Sequence, residues 1–300
     1  MNDGALAGAR AGSTARPAVA RRIDAHLHLW QLAPGRYPWL VPQRGELYRS
    51  FEAHEARAEL TAAGFDGAVL VQAEDSSADT RFMLEVAEAN PWVLGVVGWV
   101  PLDDPARAEQ ALAELTRHRR LCGIRHLVHD DPRDGFLELT AVRRSLRLVA
   151  EAGLAFDVPD AWPRHLGQAR GLASELPQLT VVIDHLAKPP FGSADFDDWA
   201  AELRRVAALP NTVAKVSGLR MPGIQFTADA LHPAWQVALE AFGPHRLLYG
   251  GDWPMTVPAG GYAPTWQVMQ QLIGELSASE RASILGGTAE RVYRLAVEPG

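Results

Sequence analysis

Three hundred residues with 47% apolar content are enough to bury a sizeable core, as one large domain or two medium ones. A formal charge of −7 without a basic cluster argues against a nucleic-acid partner and leaves small molecules as the expected ligands. No apolar run approaches the roughly 20 residues that span a bilayer, which argues against a membrane partner.

Residues 1–21 are polar, rich in Ala, Arg and Gly, and without the apolar centre of a secretory signal, so they read as a flexible tail ahead of a single domain over 22–300. The one cysteine, Cys122, excludes an internal disulfide and a cysteine-only metal site, and suits a reducing cytoplasm. Only Lys188 and Lys215 are lysines; every other basic residue is arginine.

The first ordered stretch is IDAHLHLW (23–30). Alternation along a strand predicts Asp24, His26 and His28 on one face, with Ile23, Ala25, Leu27 and Leu29 on the other. Further short apolar runs follow: FDGAVLVQ (65–72), VLGVVGWV (93–100), CGIRHLVH (122–129), LAFDVP (154–159), TVVIDHL (180–186), TVAKVSGL (212–219) and RLLYGGDW (246–253). Segments with helical spacing lie between them, among them 79–90, 106–120, 141–153 and 197–210. Gly or Pro closes several of these, as at Gly64, Pro91, Gly153 and Pro210.

Strands apolar on both faces belong to a parallel sheet covered by helices. Eight strand-then-helix units predict a (β/α)₈ barrel, with an open doubly wound sheet as the weaker alternative. Two long insertions, 31–50 and 254–264, follow the first and eighth strands, where a barrel enzyme carries its lids.

Barrel chemistry sits at the carboxyl ends of the strands, and unusual polar residues collect there. They are His26 and His28 on the first strand, Gln72 and Glu74 after the second, and Arg125, His126 and His129 on the fourth. Asp184, His185 and Lys188 follow on the sixth, Ser217 and Arg220 on the seventh, and Asp252 on the eighth. His26, His28, His185 and Asp252 together offer the nitrogen and oxygen donors that a divalent zinc takes at ~2.0–2.2 Å.

The run of IDAHLHLW, GIRH, VVIDHLAKP, VAKVSGL and FGPHRLLYGGDWP resembles the amidohydrolase superfamily, in its branch of lactonases acting on sugar-acid lactones and pyrone dicarboxylate. The resemblance runs from about 22 to about 295. It implies a distorted barrel with one active site at the strand ends. The superfamily's binuclear members carry a carboxylated lysine after the fourth strand, and 121–131 holds no lysine. Its metal-dependent decarboxylases add a histidine on the fifth strand, where this chain reads Phe156-Asp157-Val158-Pro159-Asp160, so decarboxylation ranks second. Where the family usually has glycine after His-Leu on the sixth strand, Ala187 stands.

The chemistry expected from this resemblance is hydrolysis of a small cyclic ester, a sugar-acid lactone ahead of pyrone dicarboxylate. Asp252, with a reference pKa near 3.9, serves as general base. The carbonyl is polarised either by one zinc or, without metal, by His26, His28 and His185 directly. Arg125 and Arg220 are the expected substrate-binding cations, and Trp30, Tyr37 and Trp253 the expected apolar wall.

Overall fold

The computed structural model describes residues 20–295 apart from residue 222; most of the proposed tail, 1–21, lies outside the described residues. Eight strands are present: β1 (Ile23–Leu27), β2 (Gly67–Val71), β3 (Val93–Gly98), β4 (Leu121–Arg125), β5 (Ala155–Val158), β6 (Val181–Ile183), β7 (Thr212–Val216) and β8 (Leu247–Tyr249). Each falls within or against a predicted run. One helix follows each strand: α1 (Ala53–Ala63), α2 (Ser77–Ala89), α3 (Pro105–Leu115), α4 (Thr140–Glu151), α5 (Leu166–Glu175), α6 (Phe196–Ala207), α7 (Ala228–Phe242) and α8 (Tyr262–Gly274). Two short helices, α9 (Ala278–Ala282) and α10 (Thr288–Val292), end the described chain.

Local sequence sets the helix ends. Ser76 and Asp104 cap α2 and α3 by accepting from the backbone N–H of the third helical residue, and Gly64 closes α1 in the left-handed conformation. Helix α3 stops at Leu115, short of the predicted 120. Its last turn is drawn off because Arg117–Arg120 must reverse the chain into β4, which begins at Leu121.

The strands pair in parallel in the order β1 to β8. Closure comes from two backbone hydrogen bonds, His28 N–H to Trp253 O and Asp252 N–H to His26 O, each 2.8 Å. A closed circuit excludes the open doubly wound sheet. It also brings the two ends of the chain's sheet together, so Asp252 becomes a neighbour of His26 and His28 although it lies over 200 positions from both.

Side chains sort by face, as a barrel requires. Val69, Val71, Val97, Cys122, Ala155, Val182, Val213 and Leu248 point inward, and Ala289, Tyr293 and Leu295 plug the amino-terminal mouth below them. Leu70, Val96, Phe156, Ile183, Val216 and Tyr249 point outward against the helices, where Trp199 and Trp235 are fully buried. Truncating either tryptophan to alanine should cost about 3–5 kcal/mol.

Candidate active site

The β1 motif departs from simple alternation. The register between β1 and β2 shifts between Asp24 and Leu27, a bulge that lets both Ala25 and His26 face inward. Asp24 therefore does not share the face of His26 and His28, as alternation predicts. Its carboxylate points outward, accepting from Tyr262 OH of α8 (2.7 Å), Gly251 N–H (2.9 Å) and His26 N–H (2.9 Å). Burial pushes this carboxyl up to about 6. Asp24 thus ties β1 to the segment that carries Asp252, from behind the sheet rather than from within it.

His28 donates from Nδ1 to Val71 O of β2 at 2.7 Å, which turns its Nε2 toward the mouth, 3.4 Å from Asp252 Oδ1. His26 Nε2 lies 3.1 Å from His28 Nε2 and 3.8 Å from the same carboxylate oxygen. The third imidazole, His185, stands on a left-handed turn that follows β6, where His185, Leu186, Ala187 and Lys188 all have positive φ. Left-handed backbone costs a residue with a β-carbon about 1–2 kcal/mol. Three hydrogen bonds fasten the turn: Trp199 Nε1–H to Leu186 O, Trp162 N–H to Ala187 O, and Lys188 Nζ–H to Gly218 O. His185 Nδ1 meets Ser217 Oγ of the β7 end at 2.9 Å.

Glycines supply the room for this cluster. A β-carbon on Gly250 would lie 2.5 Å from His26 Cβ, and one on Gly218, whose φ is +53°, would lie 2.4 Å from His185 Nδ1.

The electrostatics separate the roles. Burial holds His185 down at about 4, so the ring is neutral near pH 7. Burial alone would push Asp252 up, but the three imidazoles facing it, His185 foremost, outweigh that and hold its carboxyl below the usual carboxylate range. An ionised aspartate thus stands beside the neutral rings of His26 and His185, an arrangement in which the carboxylate can accept a proton.

His28, His185 and Asp252 line the floor of a cavity of about 310 Å³, with His26 fully buried beside them. Its wall comes largely from the two insertions and the strand-end loops: Trp30, Trp39 and Arg44 on one side, Met255 on another, and His129, Asp130, Asp160 and Lys188 around the rim. Arg125 lines it too, 5% exposed, its Nη1 paired with Asp184 at 3.0 Å and its Nε without a hydrogen-bond partner among the described residues.

One expected substrate-binding cation, Arg220, and two expected wall residues, Tyr37 and Trp253, lie off the cavity lining. Arg220 stacks its guanidinium 4.2 Å from the Phe226 ring, and this contact draws it off the cavity lining. Tyr37 is buried with its hydroxyl donating to Asp79 at 2.7 Å. Trp253 packs edge-on against Phe51 in the core. His126, at the end of β4, stacks on Phe136 and meets Asp131, so it faces away from the lining as well.

One charged layer was not expected at all. Directly beneath His26, Lys215 of β7 is fully buried, its Nζ 2.6 Å from Asp157 of β5 and 3.1 Å from Asp184. Tyr293 OH donates to the same Asp157 oxygen at 2.8 Å. The signal in the sequence is a lysine inside an otherwise apolar strand, VAKVSG, one of only two lysines in the chain.

The donor set suits a zinc ion. His26, His185 and Asp252 present ligand atoms all within 4.8 Å of one another. Two nitrogens on one tetrahedral zinc lie about 3.3 Å apart, close to the 3.1 Å between the β1 histidines.

A closed parallel barrel with an ionised aspartate and three imidazoles at the carboxyl ends of its strands defines a barrel enzyme whose chemistry is built on proton transfer or a metal. Comparison with known proteins narrows this class. The amidohydrolase family profile matches residues 23–295, and the chain belongs to that family. It is 32% identical to an L-fucono-1,5-lactonase of Burkholderia ambifaria, over 91% of this chain and 96% of that protein. An L-fucono-1,5-lactonase of Burkholderia multivorans is also 32% identical, over 92% and 97%. A crystal structure of a Burkholderia multivorans amidohydrolase with bound zinc superposes with a TM-score of 0.84 at 32% identity, covering 92% of this chain and all of that one.

Proposed function

We propose that the protein is a lactonase that opens a sugar-acid lactone, with Asp252 as the general base. The observation that carries this reading is an ionised carboxylate, Asp252, beside His28 and His185 on the floor of a cavity sized for one sugar ring, with His26 buried behind them. Identity to two L-fucono-1,5-lactonases over nearly the whole chain supports it.

Asp252 takes a proton from a water as that water attacks the lactone carbonyl. Arg125, poised with an unpartnered Nε–H, and the imidazole N–H groups stabilise the charge that builds on the carbonyl oxygen. Collapse of the tetrahedral intermediate breaks the ring C–O bond, and Asp252 returns its proton to the departing oxygen. The product is an open-chain hydroxy acid. A zinc ion held by His26, His28, His185 and Asp252 would add Lewis-acid pull on the carbonyl oxygen.

The rim favours a neutral polyhydroxylated ring over a dicarboxylated one. Asp130 and Asp160 line the cavity together with Arg44 and Lys188, with Lys188 Nζ 3.9 Å from Asp160, so acceptors for hydroxyl protons stand among the donors. Decarboxylation is the second reading, because the β5 aspartate is committed to Lys215 and Tyr293 and offers no imidazole. The protein would work in the cytoplasm on a small-molecule substrate, a setting that suits the buried thiol of Cys122.

Acid release from neutral sugar lactones beside pyrone dicarboxylate tests this reading. Turnover of a neutral lactone with kcat/KM at least tenfold above the pyrone is expected; the reverse order would place the substrate in the dicarboxylate class.

A further inference from the structure

Asp160 lines the cavity two residues beyond the end of β5, and its Oδ1 is shielded from solvent without a hydrogen-bond partner among the described residues. A carboxylate oxygen left without a donor is costly to keep. The backbone there is costly too: Asp160 has φ +44°, in the left-handed region that strains a residue with a β-carbon. Strain of this kind gathers at binding and catalytic sites.

Lys188 Nζ stands 3.9 Å from Asp160 Oδ1, an ion pair too long to be a hydrogen bond. The ammonium has three protons, and it gives one to Gly218 O at 2.7 Å. Lys188 also sits on left-handed backbone, φ +60°, and the two segments are tied together by Trp162 N–H to Ala187 O at 3.0 Å. An acceptor and a donor are thus fixed side by side at the cavity edge, neither saturated by the other. Asp130, the other carboxylate on the lining, differs: its side chain is 67% exposed against 31% for Asp160, so water already solvates it.

The order of the strands decides what lies opposite. In a circuit of eight, β5 is diametrically across from β1, so Asp160 stands across the mouth from Trp30 and Trp39, which follow β1. A sugar ring over the floor residues has an apolar wall on one side and the Asp160–Lys188 pair on the other.

We propose that Asp160, with Lys188 beside it, determines substrate specificity: the carboxylate accepts the proton of one ring hydroxyl, and the ammonium donates to the oxygen of the adjacent one. The cavity thereby selects a lactone with two adjacent free hydroxyls on the edge remote from the tryptophans. A ring lacking either hydroxyl leaves a charged group unpaired, which makes the rejection steep. The inference rests on the lactonase reading for the ring that fills the cavity.

The test compares the native protein with Asp160→Gly, which keeps left-handed backbone without strain. Both are assayed by acid release from neutral sugar γ- and δ-lactones and from the matching lactones that lack one hydroxyl. On the best lactone, the variant should raise KM about 10–100-fold and leave kcat within about threefold, because the contact is made before as well as during ring opening. One deoxy lactone should be at least about tenfold poorer than its parent for the native protein and within about threefold of it for the variant. An unchanged KM, or an unchanged preference for the parent lactone, overturns the proposal. If the native protein opens no lactone, the lactonase reading itself has failed, and the subsite is read from binding instead. The probe is then quenching of tryptophan fluorescence by the corresponding sugar lactams, which keep the hydroxyls and resist opening. Affinity at least about tenfold weaker in Asp160→Gly supports the subsite; equal affinity, or no binding to the native protein, overturns it.

Discussion

Gly218→Ala perturbs the site through one methyl group. The added Cβ would stand 2.4 Å from His185 Nδ1 and 2.8 Å from Asp252 Oδ2, whereas ordinary contact begins at 3.4 Å. The imidazole must therefore retreat by about 1 Å, against a turn fastened by Trp199, Trp162 and Lys188. A misplacement of about 1 Å costs on the order of 100-fold in rate, or about 2.7 kcal/mol of barrier. The left-handed backbone at Gly218, φ +53°, adds about 1–2 kcal/mol of lost stability for a residue with a β-carbon. Lactone hydrolysis and urea unfolding on the same preparation measure the two effects. The expected outcome is a folded protein, modestly destabilised, with kcat/KM down about 100-fold. Native kcat/KM in a folded variant would show that His185 and Asp252 need not hold this geometry.

Other perturbations separate the parts of the site. Tyr262→Phe strips the fully buried Asp24 of its side-chain donor and should cost about 1–3 kcal/mol in urea unfolding, with no loss meaning that Asp24 does not brace β8. Arg220→Ala should leave kcat/KM within about twofold, since its guanidinium sits on Phe226 outside the cavity lining; a tenfold rise in KM would return it to the site. The pH dependence follows from two lowered values. Asp252 stays ionised and His185 neutral until the pH falls toward about 4, so kcat/KM, corrected for spontaneous opening, should be flat from pH 8 to about 5 and fall only below that. Half-loss near pH 6.5 would mean that an ordinary histidine governs the rate.

Much of the fold is legible because each barrel strand is buried on both faces, and runs such as GAVLV and TVVI leave no polar side to expose. The four candidate site residues are legible for the complementary reason: His26, His28, His185 and Asp252 are polar where those apolar runs end. The bulge after Asp24 is not legible, since it depends on hydrogen bonds to Gly251 and Tyr262, more than 200 positions away. Arg220, Tyr37 and Trp253 show the same limit. Each follows or borders a motif, yet a neighbour such as Phe226, Asp79 or Phe51 decides where the side chain turns. Lys215 was visible as an oddity inside an apolar strand, but its meaning needs Asp157 and Asp184 from two other strands.

The most direct measurement is the initial rate of acid release from a panel of sugar γ- and δ-lactones by the native protein and by Asp252→Asn, each with and without chelator. Rapid opening of at least one lactone by the native protein, reduced by about 10²–10⁴-fold in the Asn variant, is the predicted result. Lactone opening that survives intact in Asp252→Asn would contradict the assignment of the base, and no opening above the spontaneous rate in zinc-supplemented buffer would contradict the lactonase itself.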